Sequence, residues 1–268
     1  MLAAVVTLAS PVTMVVTGQS APQGISLAPE FIIARERARL MSNDEEERFD
    51  AVIRLGALGR RDAARIAATA LSDKSVRVRA ASVKAIGYLP EAELAENLLK
   101  VLADKNEFVR QQAAYTAGNL NGNQNIAGRL LEVLRTDKSA AVVGAAVVSL
   151  GSLGNDVAVA DLIEILNYTK QSRGSFRGSR RQIAENEFVR REAARTLGLI
   201  GDRRAVSTLI AQLNDERTPD DVRREAARAL GLIGDASAKP ALQTALTARD
   251  AFLAEIAFDA LRRIGRGS

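Results

Sequence analysis

Three stretches of this chain are near-copies of one another: "FVRREAARTLGLIGDRRAVSTLIAQLND", "VRREAARALGLIGDASAKPALQTAL" and "FVRQQAAYTAGNLNGNQNIAGRLLEVLRTD". A weaker copy reads "VRVRAASVKAIGYLPEAELAENLLKVLAD". A glycine marks each copy, at Gly56, Gly87, Gly118, Gly151, Gly198, Gly231 and Gly265, with intervals of 31, 31, 33, 47, 33 and 34 residues. Self-similarity at this period means stacked units, because no unit of that size buries its apolar face alone. The single long interval contains an insertion.

Within a copy the apolar residues follow a helical period. Val222, Ala226, Ala227, Leu230 and Ile233 share one helix face, and Val206, Leu209, Ile210 and Leu213 repeat the pattern in a second half. The "GD" between the halves is a break. Gly201 and Gly234 suit left-handed helix ends, and Asp202 and Asp235 suit the start of the next helix. Each unit is predicted to be a helical hairpin. Trp is absent and aromatics are only 4% of the 268 residues, so the core must be Ala, Leu, Val and Ile, as in closely packed helices. No segment alternates at period two for more than a few residues, so sheet is not expected.

The recurring "VRxxAAxxLGxxGD" pattern from Phe49 to Gly265 resembles HEAT repeats, of the short HEAT-like type also found in phycobilin lyases. The resemblance implies an all-α fold, a right-handed α-solenoid of about six to seven helical hairpins. It also implies ties between adjacent repeats, made by an aspartate six residues before an arginine. Asp73 with Arg79 and Asp104 with Arg110 match that spacing. Beyond them the pattern fails, because Asp137 precedes Val143, and Ala184 and Arg217 precede Arg190 and Arg223.

The ends and the insertion are read separately. Residues 1–21 have the pattern of a secretory signal, an apolar run broken by Pro11 and ending in small residues near Gly18 to Ala21, with no basic residue before it. This predicts export to a periplasm or the extracellular space; otherwise the protein is cytoplasmic. Residues 22–45 are a linker and an N-terminal capping helix over "EFIIARERARLM", and "SNDE" at 42–45 reads as a capping box. The array runs over 46–268, with a basic loop insertion at 167–186. At the far end Phe252 and Phe258 are expected to close the core.

The chain has no Cys and no His, which excludes disulfides, thiolate nucleophiles, Cys/His zinc sites and imidazole catalysis. It also removes the histidine ligands on which the HEAT-like deoxyhypusine hydroxylases depend. No catalytic residues, metal site or cofactor are predicted. The net charge is +5, from 37 basic and 32 acidic residues, and residues 167–184 carry five of the cations with no acid. The rest of the chain is therefore balanced.

Three groups are candidate sites. Tyr168, Lys170, Arg173, Phe176, Arg177, Arg180 and Arg181 on the insertion suit an anionic partner by charge pairing and stacking. Ser and Gly between them argue for a loop without helix, and their charges argue against burial. Arg77, Arg110, Arg190 and Arg223 could line an anion stripe, but their recurrence favours pairing with acids at repeat junctions. Asp44 to Glu47 could hold a cation, though acids at a helix start are ordinary. The function these readings favour is a non-enzymatic scaffold or adaptor that binds another protein, with the insertion suited to an acidic one, and has no transmembrane anchor. The alternatives are a bilin lyase-like chaperone or lyase subunit and, with less support from the neutral body, a nucleic-acid-binding HEAT-like protein.

Overall fold

The computed structural model describes residues 28–154, 156–168 and 179–266. The signal segment at 1–21 lies outside them, as do Lys170, Arg173, Phe176 and Arg177. Arg180 and Arg181 fall in a described helix, although their side chains do not.

The described chain contains fifteen α-helices and no strand. α1 (Pro29–Arg39) lies against the first hairpin. Six hairpins follow: α2 (Glu45–Ala57) with α3 (Arg61–Ala68), α4 (Val76–Ala85) with α5 (Glu91–Val101), and α6 (Glu107–Ala117) with α7 (Gln124–Thr136). The next are α8 (Ala140–Ser152) with α9 (Val159–Leu166), α11 (Glu187–Ile200) with α12 (Val206–Asn214), and α13 (Asp220–Ile233) with α14 (Lys239–Ala245). Between the fourth and fifth hairpins sits α10 (Ser179–Glu185), and α15 (Ala251–Arg266) forms the first half of a seventh unit. First helices pack on first helices from unit to unit, so the molecule is an α-solenoid.

The hairpin breaks follow from their residues. Gly201 and Gly234 end α11 and α13 with φ of 76° each, a conformation that a Cβ disfavours. Asp202 and Asp235 then accept from the backbone N–H groups of Arg204 and Ser237. The capping box lies two residues later than expected. Asp44, not Ser42, accepts from the N–H of Glu46 at the start of α2, and Ser42 instead accepts from the N–H of Asp44.

Counted from the start of each of the first six first helices, the recurrent glycine stands at position twelve, and at five of the six, Gly87 excepted, it lies close against the next unit. A Cβ on Gly198 would stand 2.6 Å from Ala229 Cα, and one on Gly231 would stand 2.6 Å from Ala260 Cβ. The seventh glycine was assigned one turn too late. By register with α13, Arg262 occupies the glycine position of α15, and Gly265 corresponds to the helix-ending Gly234.

The far end is closed by Leu253, Ala257, Ala260 and Ile264, not by the two phenylalanines. Phe252 and Phe258 are 66% and 54% exposed, because they lie off the i, i+4, i+7, i+11 face that meets α13. The insertion also departs from expectation. Its last residues form α10, which reaches α8, α9 and α11 and places Ile183 in the main core. The stretch "RRQIAE" has no glycine, and its apolar pair Ile183–Ala184 gives the turn a face to bury. α8 is almost wholly apolar and almost wholly buried, as a helix without a polar face must be.

Candidate functional site

The arginine at the fourth position of each first helix sets the electrostatics between units. Arg48 donates from Nε and Nη2 to Asp73 at 2.7 and 3.0 Å. Arg79 does the same to Asp104 at 2.7 and 2.9 Å, and Arg110 to Asp137 at 2.7 and 3.0 Å. The third nitrogen of each guanidinium donates to backbone carbonyls of its own unit, those of Ser42 and Asn43, of Asp73 and Lys74, and of Asp104. Each arginine therefore clamps the loop behind it to the loop of the following unit.

The expected Asp–Arg spacing is present, but the carboxylate serves the arginine of the preceding unit, while its own arginine takes only its carbonyl. Arg48 escaped the sequence reading because the residue six before it is Ser42, which contributes that carbonyl. The guanidinium and carboxylate are both mostly hidden, at 5% and 12% exposure for Arg79 and Asp104. Burial acts to raise the carboxyls of Asp73 and Asp104. The hydrogen bonds from the arginines and from the Ser75 and Asn106 N–H groups outweigh it and hold both below the usual carboxylate range.

From the fourth unit the ladder changes chemistry. Val143 stands in place of the arginine and Ala184 in place of the next aspartate, and both are fully buried. In the fifth unit Arg190 returns, but the aspartate position holds Arg217, which is exposed and paired with Asp215. Arg190 donates instead to Gln212 at 2.6 Å, its Nε is buried without a partner, and burial lowers its pKa. Gln212 also donates to the Leu166 carbonyl and accepts from Thr218, so a neutral side chain holds the joint. In the sixth unit Arg223 donates to the Leu213 carbonyl at 3.1 Å and lies 3.7 Å from Asp220 of its own helix. Of the four arginines read as a stripe, Arg77 and Arg110 pair with acids across junctions, whereas Arg190 and Arg223 do not.

A second pattern lies on the outer side of the first-helix layer. Positions two, nine and thirteen, counted from the start of a first helix, fall within about 40° of one another at 3.6 residues per turn. Among the residues at those positions are Ile53, Tyr88, Phe108, Tyr115, Leu199, Leu232 and Phe252, all exposed. First helices packed in sequence gather these side chains on one side of the layer, at three levels along the helices, with none from α8. Arg195 and Arg228 take the ninth position in α11 and α13. Arginines also lie over phenylalanine rings along this side, with Arg77 3.7 Å from the centre of Phe49 and Arg224 5.2 Å from that of Phe252.

The insertion residues are divided by the structure. Tyr168 is buried against Ala184 and donates its hydroxyl to Glu185 at 2.9 Å, so it fastens α10 to the end of α9. Glu45 and Glu46 of the acidic run accept from Ser75 and Arg77 of the next unit. Among the described residues no cluster of His, Cys, Asp or Glu could hold a metal ion, and no helix is long and apolar enough to cross a membrane.

The family model for HEAT repeats matches residues 36–119, 95–173 and 180–262. No curated protein matches the sequence. Among solved structures, the complex of CpcE and CpcF of phycocyanin lyase from Nostoc sp. PCC7120 is similar at 21% identity and a TM-score of 0.51, over 96% of this chain and 97% of that one. An engineered protein is similar at 19% identity and a TM-score of 0.53, over 87% of this chain and 68% of that one. Kap95p, solved with RanGDP, is similar at 11% identity and a TM-score of 0.53, over 89% of this chain and 40% of that one. At these identities the likeness is one of fold. With the family model covering most of its length, the chain belongs to the HEAT-repeat family.

Proposed function

We propose that the protein is a non-enzymatic scaffold that holds another protein along its first-helix layer. The observation that carries this reading is the exposed set Ile53, Tyr88, Phe108, Tyr115, Leu199, Leu232 and Phe252. Scattered exposed apolar residues are ordinary, but these share one side of the first-helix layer and supply anchors on five of its seven helices. Interleaved Arg195 and Arg228, with the insertion cations Lys170, Arg173, Arg177, Arg180 and Arg181, favour a partner with an acidic surface. The apolar, uncharged residues 1–21 add export to the proposal.

Affinity capture from the native source tests it. The wild-type array is compared with a variant carrying Ile53→Ser, Phe108→Ser and Tyr115→Ser, all at exposed positions. A protein retained by the first and lost by the second, with matched helical circular dichroism and melting, supports the scaffold. Identical retention profiles refute it.

A second reading, a lyase-like subunit acting with a bilin, rests on the near-complete coverage shared with the phycocyanin lyase complex. Incubation with a bilin and an acceptor phycobiliprotein subunit tests that reading, and absence of covalent transfer counts against it.

A further inference from the structure

At the sixth joint the ladder arginine, Arg223, lacks an acceptor side chain of its own, and the fork between α13 and α15 is made by Arg224 with Asp250. In the first three joints a carboxylate three residues before the next first helix receives Nε and Nη2 of the arginine. At Arg223 that position is Ala248, and the position that holds Gln212 in the fifth joint is Ala245. Both alanines line a groove of about 890 Å³ between the start of α13 and the turn from α14 to α15, and Arg223 lines it too. Among the described residues Arg223 Nη2 has no hydrogen-bond partner, and the one acid within ion-pair range of Arg223 is Asp220 at 3.7 Å. Arg249 adds a cation to the groove and Glu216 an acid, while Asp250 is already held by Arg224 at 2.7 Å. Beside the groove, the Phe252 ring lies under Arg224 with most of its surface free.

We propose that this groove receives an aspartate or glutamate side chain from a partner polypeptide, which completes the sixth joint on Arg223. A neighbouring apolar residue of the same peptide then lies on Phe252. Guanidinium groups pair strongly with carboxylates, and with Nε on the Leu213 carbonyl the incoming group is received at Nη2, one of the two nitrogens that hold the aspartate in the first three joints. The apolar lip argues for a peptide over a free small acid. The assignment rests on the partner-binding reading above and specifies one contact within it.

The probe is a fluorescein-labelled Gly-Leu-Asp-Leu-Gly peptide, with the Asn version as control, read by anisotropy on the full chain at low salt. The expected result is at least tenfold tighter binding of the Asp peptide by wild type. The preference should vanish in Arg223→Ala and in Ala248→Asp, which supplies the missing carboxylate from within. Ala248→Asp should also raise the thermal midpoint, a readout independent of any ligand. Equal binding of the two peptides, or a preference retained in Ala248→Asp, overturns the proposal. Displacement of the peptide by an equimolar amount of succinate overturns the peptide assignment in favour of a small acid. A protein captured equally by wild type and Ala248→Asp removes the groove as a contact and leaves the scaffold standing. Selective peptide binding without any captured protein supports the groove and counts against the scaffold.

Discussion

The first three units and the last three are built on the same repeat but are tied by different physics. At the N-terminal end, buried arginine–aspartate forks join loop to loop through Arg48, Arg79 and Arg110. Toward the C-terminal end the fourth-position arginines lose their forks, to a glutamine at Arg190 and a carbonyl at Arg223, and a fork between α13 and α15 is made one residue on by Arg224 and Asp250, while the first helices come closer together. The nearest atoms to a Cβ on Gly56 are those of Ala85 at 3.1 and 3.3 Å, but on Gly198 it would meet Ala229 Cα at 2.6 Å. A repeat can therefore hold its neighbour either by charge or by proximity, and losing one tie need not unfold the array.

The contrast predicts where substitutions hurt most. Asp104→Ala should cost about 3 kcal/mol in a denaturant titration, because it strands the buried Arg79 guanidinium without a carboxylate. A cost below about 1 kcal/mol would mean that the fork is decorative and the comparison between the two ends has no energetic content. The next largest effect belongs to the other half. Gly198→Ala should cost about 1–3 kcal/mol, since the new methyl meets backbone that can move only with its helix. Gly144→Ala provides the contrast. There the clashing atoms belong to the Phe188 ring, which can swing aside, so the loss in the same titration should be smaller.

Much of this was legible in the sequence because repetition averages out local noise. Hairpin count, helix breaks at Gly201 and Gly234, and the apolar faces all follow from period and turn chemistry. What misled was residue type read without register. Phe252 and Phe258 looked like core because they are large, yet the array buries small residues at the positions that meet the next helix. Gly265 looked like the close-approach glycine because both kinds of glycine sit near the end of a first helix. Tyr168 looked like a recognition aromatic because it borders a basic run, and its neighbour in space, Ala184, lies sixteen residues away in sequence. The direction of the ladder was hidden for another reason. A spacing of six names the pair but not the unit it serves, whereas the separations of 25, 25 and 27 residues from Arg48, Arg79 and Arg110 to their aspartates carried that signal.

Acid should separate the two ends more gently. Asp73 and Asp104 titrate below their unfolded values of about 3.9, so their contribution is complete above that pH and fades as the pH falls through the lower folded values. The joint at Arg190 has no such acceptor, and Asp202, Asp215 and Asp235 act at surface turns, whereas Asp250, held below its usual range by Arg224, keeps an acid-sensitive tie between α13 and α15. Hydrogen exchange at pH 3 relative to pH 6, corrected for intrinsic rates, should therefore lose more protection in α4 and α6 than in α11. The loss is partial because a protonated aspartate still accepts one hydrogen bond. Uniform loss along the array would erase the distinction.

The smallest effect is expected at the joint without an acceptor. Arg223→Ala removes a hydrogen bond to the Leu213 carbonyl and a loose contact with Asp220. No carboxylate is stranded by the change, because Asp220 is exposed and the Leu213 carbonyl lines an open groove that water can enter. The loss should be about 1 kcal/mol or less, composed of that hydrogen bond and the packing of the arginine stem. Arg79→Ala, at the same helical position four units earlier, strips Asp104 of its fork and should cost several times more. The ratio between these two substitutions, measured in one denaturant series, is the sharpest test of the comparison. Equal losses would mean that position in the repeat, and not the chemistry of the acceptor, sets the strength of each joint.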